Sequence, residues 1–192
     1  MARSGAVRPE DIAWASGTLG GRPGPGAVRV RWLGTAGFEI EHDGHVVLVD
    51  PYVTRASIAR CVLAPLRPDL EAVRRHAPRA DAIVAGHTHF DHVLDVPAIA
   101  RATGARVFGS RSAAALCVAS GVPAARVEVV ERDASGEPVE AEVGPFRLRF
   151  IPSAHSALVL GRVPLPGEIS DCTDVPMRVE AYRCGAVFGV EI

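Results

Sequence analysis

The sequence predicts an α+β domain built in layers, and three observations carry that reading. Period-two alternation sets Val28, Val30 and Trp32 against Arg29 and Arg31, and apolar strands recur after each of two short turns. From Pro68 onward, helical segments with polar starts alternate with short apolar strands. The chain has 192 residues, 48% of them hydrophobic, enough for one sizeable core. Strands that come first as a meander and then as βα units fit an α/β or α+β arrangement better than a purely doubly wound one.

In chain order, Pro9-Glu10-Asp11 opens a short helix through Ile12, Trp14 and Leu19, and the tract Gly20 to Gly26 stops it. Residues 1–27 are therefore expected to be an N-terminal helix and Gly/Pro linker, with the domain over 28–192. The meander follows: Val28 to Trp32, a turn at Gly34 to Gly37, Phe38 to Glu41, a hairpin connection at His42 to His45, and Val46 to Val49. His42 and His45 belong to that connection. The stretch Thr54 to Leu66 has no clear period and is expected to be a loop. Pro68 to His76 has acids near its start and Arg and His near its end, as the helix dipole favours.

Asp81 to Ala85 returns to strand. Val96 to Gly104 predicts a helix with a glycine stop, Arg106 to Gly109 a strand, and Ser110 caps a helix through Ser120 that Gly121 ends. Val127 to Val130 is a further strand, and Gly136 to Val143 alternates acidic and apolar residues as an antiparallel strand with one wet face does. Gly144-Pro145 turns into Phe146 to Ile151. Ala157 to Pro176, with Asp171 and Asp174, reads as a long loop or a lid. Met177 to Ile192 reads as a β-hairpin turning near Gly185.

Charge and composition exclude some classes of function. A net charge of -1 argues against a broadly basic nucleic-acid-binding face, and no dedicated nucleic-acid-binding module is recognisable. Cys61, Cys117, Cys172 and Cys184 form no CxxC spacing and read as free thiols, which favours a reduced cytoplasmic setting. No basic start precedes an apolar h-region and no stretch is long enough to cross a bilayer, so neither secretion nor membrane spanning is expected.

The chemistry concentrates in Gly86-His87-Thr88-His89-Phe90-Asp91-His92, which follows the strand Ala82 to Ala85. Extended chain puts His87 and His89 on one side, and a turn beginning near Asp91 swings Asp91 and His92 toward the same point. Imidazole and carboxylate are ordinary zinc ligands, and crowding them together without a cation is hard to justify as packing. The strand Phe146 to Ile151 leads to His155, the candidate to complete a set with His87 and His89. Asp50, beyond another apolar strand, either caps the next turn or accepts a hydrogen bond from a ligand imidazole.

His87-Thr88-His89-Phe90-Asp91-His92 is an HxHxDH motif and resembles that of the metallo-β-lactamase fold hydrolases. Trp32 to Phe38, Val49-Asp50-Pro51 and Pro152 to Ser156 stand in the order expected of the lactonase-like and phospholipase D-like branch. The resemblance implies an αββα sandwich, with His87, His89 and His155 on a first metal and Asp91 and His92 on a second. It implies Asp91 as the catalytic carboxylate and Asp50 as an orienting one. Zn2+ is the implied cofactor, one or two ions, with Mn2+ or Fe2+ as options.

The implied activity is hydrolysis of an ester, lactone or phosphodiester bond in a small-molecule substrate by a metal-activated water. The family pattern also calls for a bridging aspartate after a further strand and a final histidine. Neither has a match here, and Asp171 and Asp174 precede the position required. The sandwich is thus expected to be incomplete at its C-terminus, with the first sheet's inner face and edge open to a second copy. A metal-binding or structural remnant without activity, acting as an oligomer, is the alternative.

Overall fold

The computed structural model describes residue 24 and residues 26–131, 137–158, 161–170 and 175–192. The expected helix through Trp14, together with Asp171, Cys172 and Asp174, lies outside the described residues. The first sheet begins as the expected meander, β1 (Arg29–Gly34), β2 (Gly37–His42) and β3 (His45–Val49), all antiparallel. It continues in parallel through β4 (Ala82–Val84), β5 (Arg106–Gly109) and β6 (Val127–Val129), in the order β1-β2-β3-β4-β5-β6.

Among the described residues five α-helices accompany this sheet: α1 (Ile58–Leu63), α2 (Leu70–His76), α3 (Phe90–Val93), α4 (Val96–Thr103) and α5 (Arg111–Ala119). Their ends follow from local chemistry. The Asp69 carboxylate accepts from the Glu71 and Ala72 amides, and the Ser110 hydroxyl from that of Ala113. Gly104 closes α4 at φ +80°, a left-handed conformation that glycine adopts without strain. The second sheet is β7 (Val139–Val143), β8 (Phe146–Ser153) and β9 (Val187–Glu191), antiparallel.

Strand alternation sorts the core into two layers. Leu48, Ile83 and Val107 face the helices and pack with Val73, Ile99 and Leu116. Their neighbours Val47, Ala82, Val84 and Phe108 face the second sheet and meet Leu148, Phe150 and Phe188, with the Phe108 and Phe150 rings stacked at 5.5 Å. A strand buried on both faces has no polar side to show, which is why β3 to β5 read as continuous apolar runs. The result is an α+β fold of helix, sheet and sheet.

Three expectations need correction. The stretch after Thr54 is not all loop: Ile58–Leu63 forms α1, capped by the Ser57 hydroxyl, and it buries none of its residues, so it left no hydrophobic period. Met177 to Tyr182 is not a strand. Val179–Ala181 is a 3-10 turn, and Met177 and Tyr182 are buried in the helix-side core, so their spacing reflects burial in a loop. Accordingly β9 has no hairpin partner and pairs with β8 instead.

The third correction concerns the open inner face. Among the described residues the second sheet covers it over β3 to β5 and leaves it open over β1 and β2, where Val30, Trp32 and Phe38 are exposed on the side that carries Val47. No helix among the described residues is long and apolar enough to cross a membrane.

Candidate metal centre

The cluster is built where β3 and β4 end side by side. β4 is wholly buried, and beyond it the chain is clamped from both sides. The Phe188 amide donates to the Gly86 carbonyl at 2.8 Å and the Thr88 amide to the Cys184 carbonyl at 2.9 Å. The residues before β9 therefore form one wall of the loop that bears His87 and His89. Asp50 forms the other wall, accepting from the Gly86 amide at 2.6 Å. A Cβ on Gly86 would lie 2.9 Å from Asp50 Oδ2, so only glycine allows this approach.

Asp50 itself has φ +43° and Arg55 has φ +51°, left-handed conformations costing roughly 1–2 kcal/mol each, which the surrounding bonds must hold in place. Asp95, fully buried at the start of α4, accepts from the amides of Val53 and Thr54 at 2.6 and 2.8 Å and from the Thr54 hydroxyl. Arg55 lies 5.1 Å over the Tyr52 ring and donates to the Leu33 carbonyl and the Thr35 hydroxyl. Burial pushes the Tyr52 phenol up to about 12, and its oxygen accepts from the Ala56 amide at 2.7 Å.

His87, His89 and His155 come together: one ring nitrogen from each lies within 4.8 Å of the others. His87 is 6% and His89 7% exposed, and His155 is half-buried. The ring of His87 is 4.8 Å from that of His89 and 4.9 Å from that of His155. His89 Nε2 lies 2.9 Å from the Pro164 carbonyl, and a carbonyl only accepts, so Nε2 carries the proton. That leaves the Nδ1 lone pair pointing at His87 Nε2, 3.0 Å away. His155 Nδ1 likewise donates to the Ser156 carbonyl at 2.8 Å, leaving its Nε2 free.

His92 and Asp91 stand beside this trio, outside the ligand-atom grouping. The His92 ring is 3.8 Å from that of His87, its Nδ1 is 2.9 Å from Asp50 Oδ2 but off the line of a good hydrogen bond, and its Nε2 is 3.9 Å from Asp91. Of the two readings open for Asp50, the geometry has its carboxylate against an imidazole.

Electrostatics separates these histidines. Burial, reinforced by His92, His89 and His155, pushes His87 down to about 3. Burial also lowers His89, outweighing the Pro164 carbonyl. For His92 burial alone would do the same, but the Asp50 carboxylate and Asp91 outweigh it and leave His92 raised. Imidazoles whose ring nitrogens converge suit a divalent ion: two nitrogens on one tetrahedral zinc are about 3.3 Å apart, close to the 3.0 Å between His87 and His89.

The depressed His87 has a consequence for metal-free protein. Its unfolded form takes up a proton near pH 6.5 and its folded form only near 3, so the unfolded state binds more protons in between. Stability is thus present above pH 6.5 and is lost as pH falls through this window. A drop of about 2 kcal/mol between pH 7 and 5 is expected from urea unfolding with chelator present, and His87→Gln is expected to flatten it. A profile unchanged by that substitution would assign the pH dependence elsewhere.

Pro164 and Asp95 escaped the sequence reading. Asp95 left a signal, a lone carboxylate within the apolar run Val93 to Pro97, whereas a backbone carbonyl such as that of Pro164 leaves none.

A model of the β-lactamase superfamily domain matches residues 45–170. A UPF0173 metal-dependent hydrolase of Methanopyrus kandleri is 30% identical over 179 residues, covering 86% of this chain and 70% of the relative. One from Hyperthermus butylicus is 30% identical over 128 residues, 67% of this chain and 51% of the relative. The chain spans about half the length of several of its curated relatives. Among solved structures, a metallo hydrolase from Ignicoccus hospitalis matches with a TM-score of 0.45 and 23% identity, over 71% of this chain and 53% of that one.

Proposed function

This chain belongs to the metallo-β-lactamase superfamily, and on that premise we propose that it is a metal-dependent hydrolase of an ester, lactone or phosphodiester bond in a small-molecule substrate. The observation that carries the reading is the convergence of three imidazole nitrogens from His87, His89 and His155. In this reading those three hold the first divalent ion, zinc by default with Mn2+ or Fe2+ as alternatives, and Asp91 and His92 contribute to a second. The chemistry supplied by a bound divalent ion is Lewis-acid charge and a lowered water pKa.

The chain's own residues do the rest. In this reading Asp91, whose side chain is 36% exposed, orients the attacking water and accepts its proton. Asp50 holds the His92 ring from behind, and the Pro164 carbonyl keeps the proton of His89 on Nε2 so that Nδ1 stays available. The free thiols Cys61 and Cys184 support a reducing, cytoplasmic setting.

The test measures metal content together with turnover of p-nitrophenyl esters, simple lactones and bis(p-nitrophenyl) phosphate. About one or two equivalents of metal are expected, with turnover of one bond class that chelator abolishes. Asp91→Asn is expected to lower that turnover by 10²-fold or more while the ion at the three histidines remains. A second reading, a metal-binding protein without turnover that works as an oligomer, is favoured by the exposed stripe Val30, Trp32 and Phe38. Bound metal, no turnover of any class, and a dimer that Trp32→Ser dissociates would replace the first reading with the second.

A further inference from the structure

On the helical side of the molecule a cavity of about 580 Å³ opens between α2, α4, α5 and the loop at Val175 and Pro176. Its volume is that of an ordinary small-molecule site. Leu94, Leu116 and Tyr182 supply apolar surface from three separate elements, while Arg67, Arg74 and Arg101 also line it. It shares no lining residue with the histidine cluster.

The charges around this cavity are unbalanced. Among the described residues neither Arg67 nor Arg74 has a carboxylate partner, and Arg101 reaches only the Ser120 carbonyl at 3.3 Å. The acids nearest in sequence are already engaged: Asp69 caps α2, and Glu71 pairs with Arg75. Three guanidinium groups beside an apolar floor complement a molecule with an anionic head and an apolar body. A carboxylate or phosphate head can take two parallel hydrogen bonds from an arginine, and an apolar tail on Leu94 and Leu116 gains by leaving water.

We propose that this cavity is a second binding site, for a small amphiphilic anion whose carboxylate or phosphate head meets Arg67 and Arg74 and whose acyl or aromatic body fills the space between α2, α4 and α5. Its independence of the histidine cluster lets it be tested whatever the chain hydrolyses.

The experiment is calorimetric titration of the full chain with octanoate, with octanol as the tail without the charge and inorganic phosphate as a head without the tail. Saturable octanoate binding is expected, at least tenfold tighter than either control. Arg67→Gln and Arg74→Gln, both at exposed positions, are each expected to weaken it about tenfold, and Ala98→Trp, which fills the cavity, to abolish it. Octanol binding as tightly as octanoate would reduce the cavity to an apolar void and overturn the proposal. So would phosphate binding as tightly, octanoate binding that survives Ala98→Trp, or no octanoate binding at all. A change of sedimentation on Ala98→Trp without octanoate binding would show a second copy of the chain in the cavity and would equally overturn it.

Discussion

Replacing His89 by alanine is expected to weaken metal binding roughly hundredfold or more. A protein ligand in a four-ligand zinc site carries about 3 kcal/mol of a total of about 10–16, and His89 is the member of the trio with the best-defined lone pair. Its Nε2 proton is committed to the Pro164 carbonyl, so its Nδ1 has no role except as acceptor or ligand. Alanine removes that donor and leaves only His87 and His155 of the group. Elemental analysis after dialysis against a competing chelator reads the loss directly. Metal content equal to that of the unmodified protein would sink the assignment of this cluster. The metal-free fold is expected to lose much less, because the loop is held by the Gly86 and Thr88 backbone bonds, which the substitution does not touch.

Asp95→Ala is expected to cost on the order of 3 kcal/mol of stability. Its carboxylate is fully buried and takes three hydrogen bonds from Val53 and Thr54, two of them from backbone amides. Leaving buried donors unpaired costs about 1–3 kcal/mol each. Part is returned, because burial raises the pKa of Asp95 and so already penalises its charged form. Asp95→Asn keeps an acceptor and is expected to lose less than half as much. Urea unfolding measures both. A weaker hold on metal is expected alongside, since Asp50 lies on the loop that Asp95 anchors; equal stability of Asp95→Ala and the parent chain would show that this anchor is dispensable.

Much of the fold was legible because its causes are local. The meander from β1 to β3 announces itself by alternation and by turns at Gly34 to Gly37 and His42 to His45, and α2, α4 and α5 by their capping residues. α1 was not legible, since a helix that buries nothing needs no apolar face. Met177 to Tyr182 misled for the opposite reason. Spaced apolar residues there serve burial against the helices, and a loop uses the same spacing as a strand.

At the candidate site the same division holds. Histidines two residues apart at a strand end were bound to lie together, so His87 and His89 were determined by sequence spacing. The sequence could nominate His155 and Asp50 as partners of that cluster, but nearness across 36 or 66 residues is a property of strand order and packing. Only the tertiary structure decided that β8 delivers His155 to the trio, that Asp50 faces His92, and that the Pro164 carbonyl sets the tautomer of His89. The physical reason is that side-chain identity is written in the chain, whereas a carbonyl belongs to every residue alike, and which one meets an imidazole depends on where the backbone has been carried.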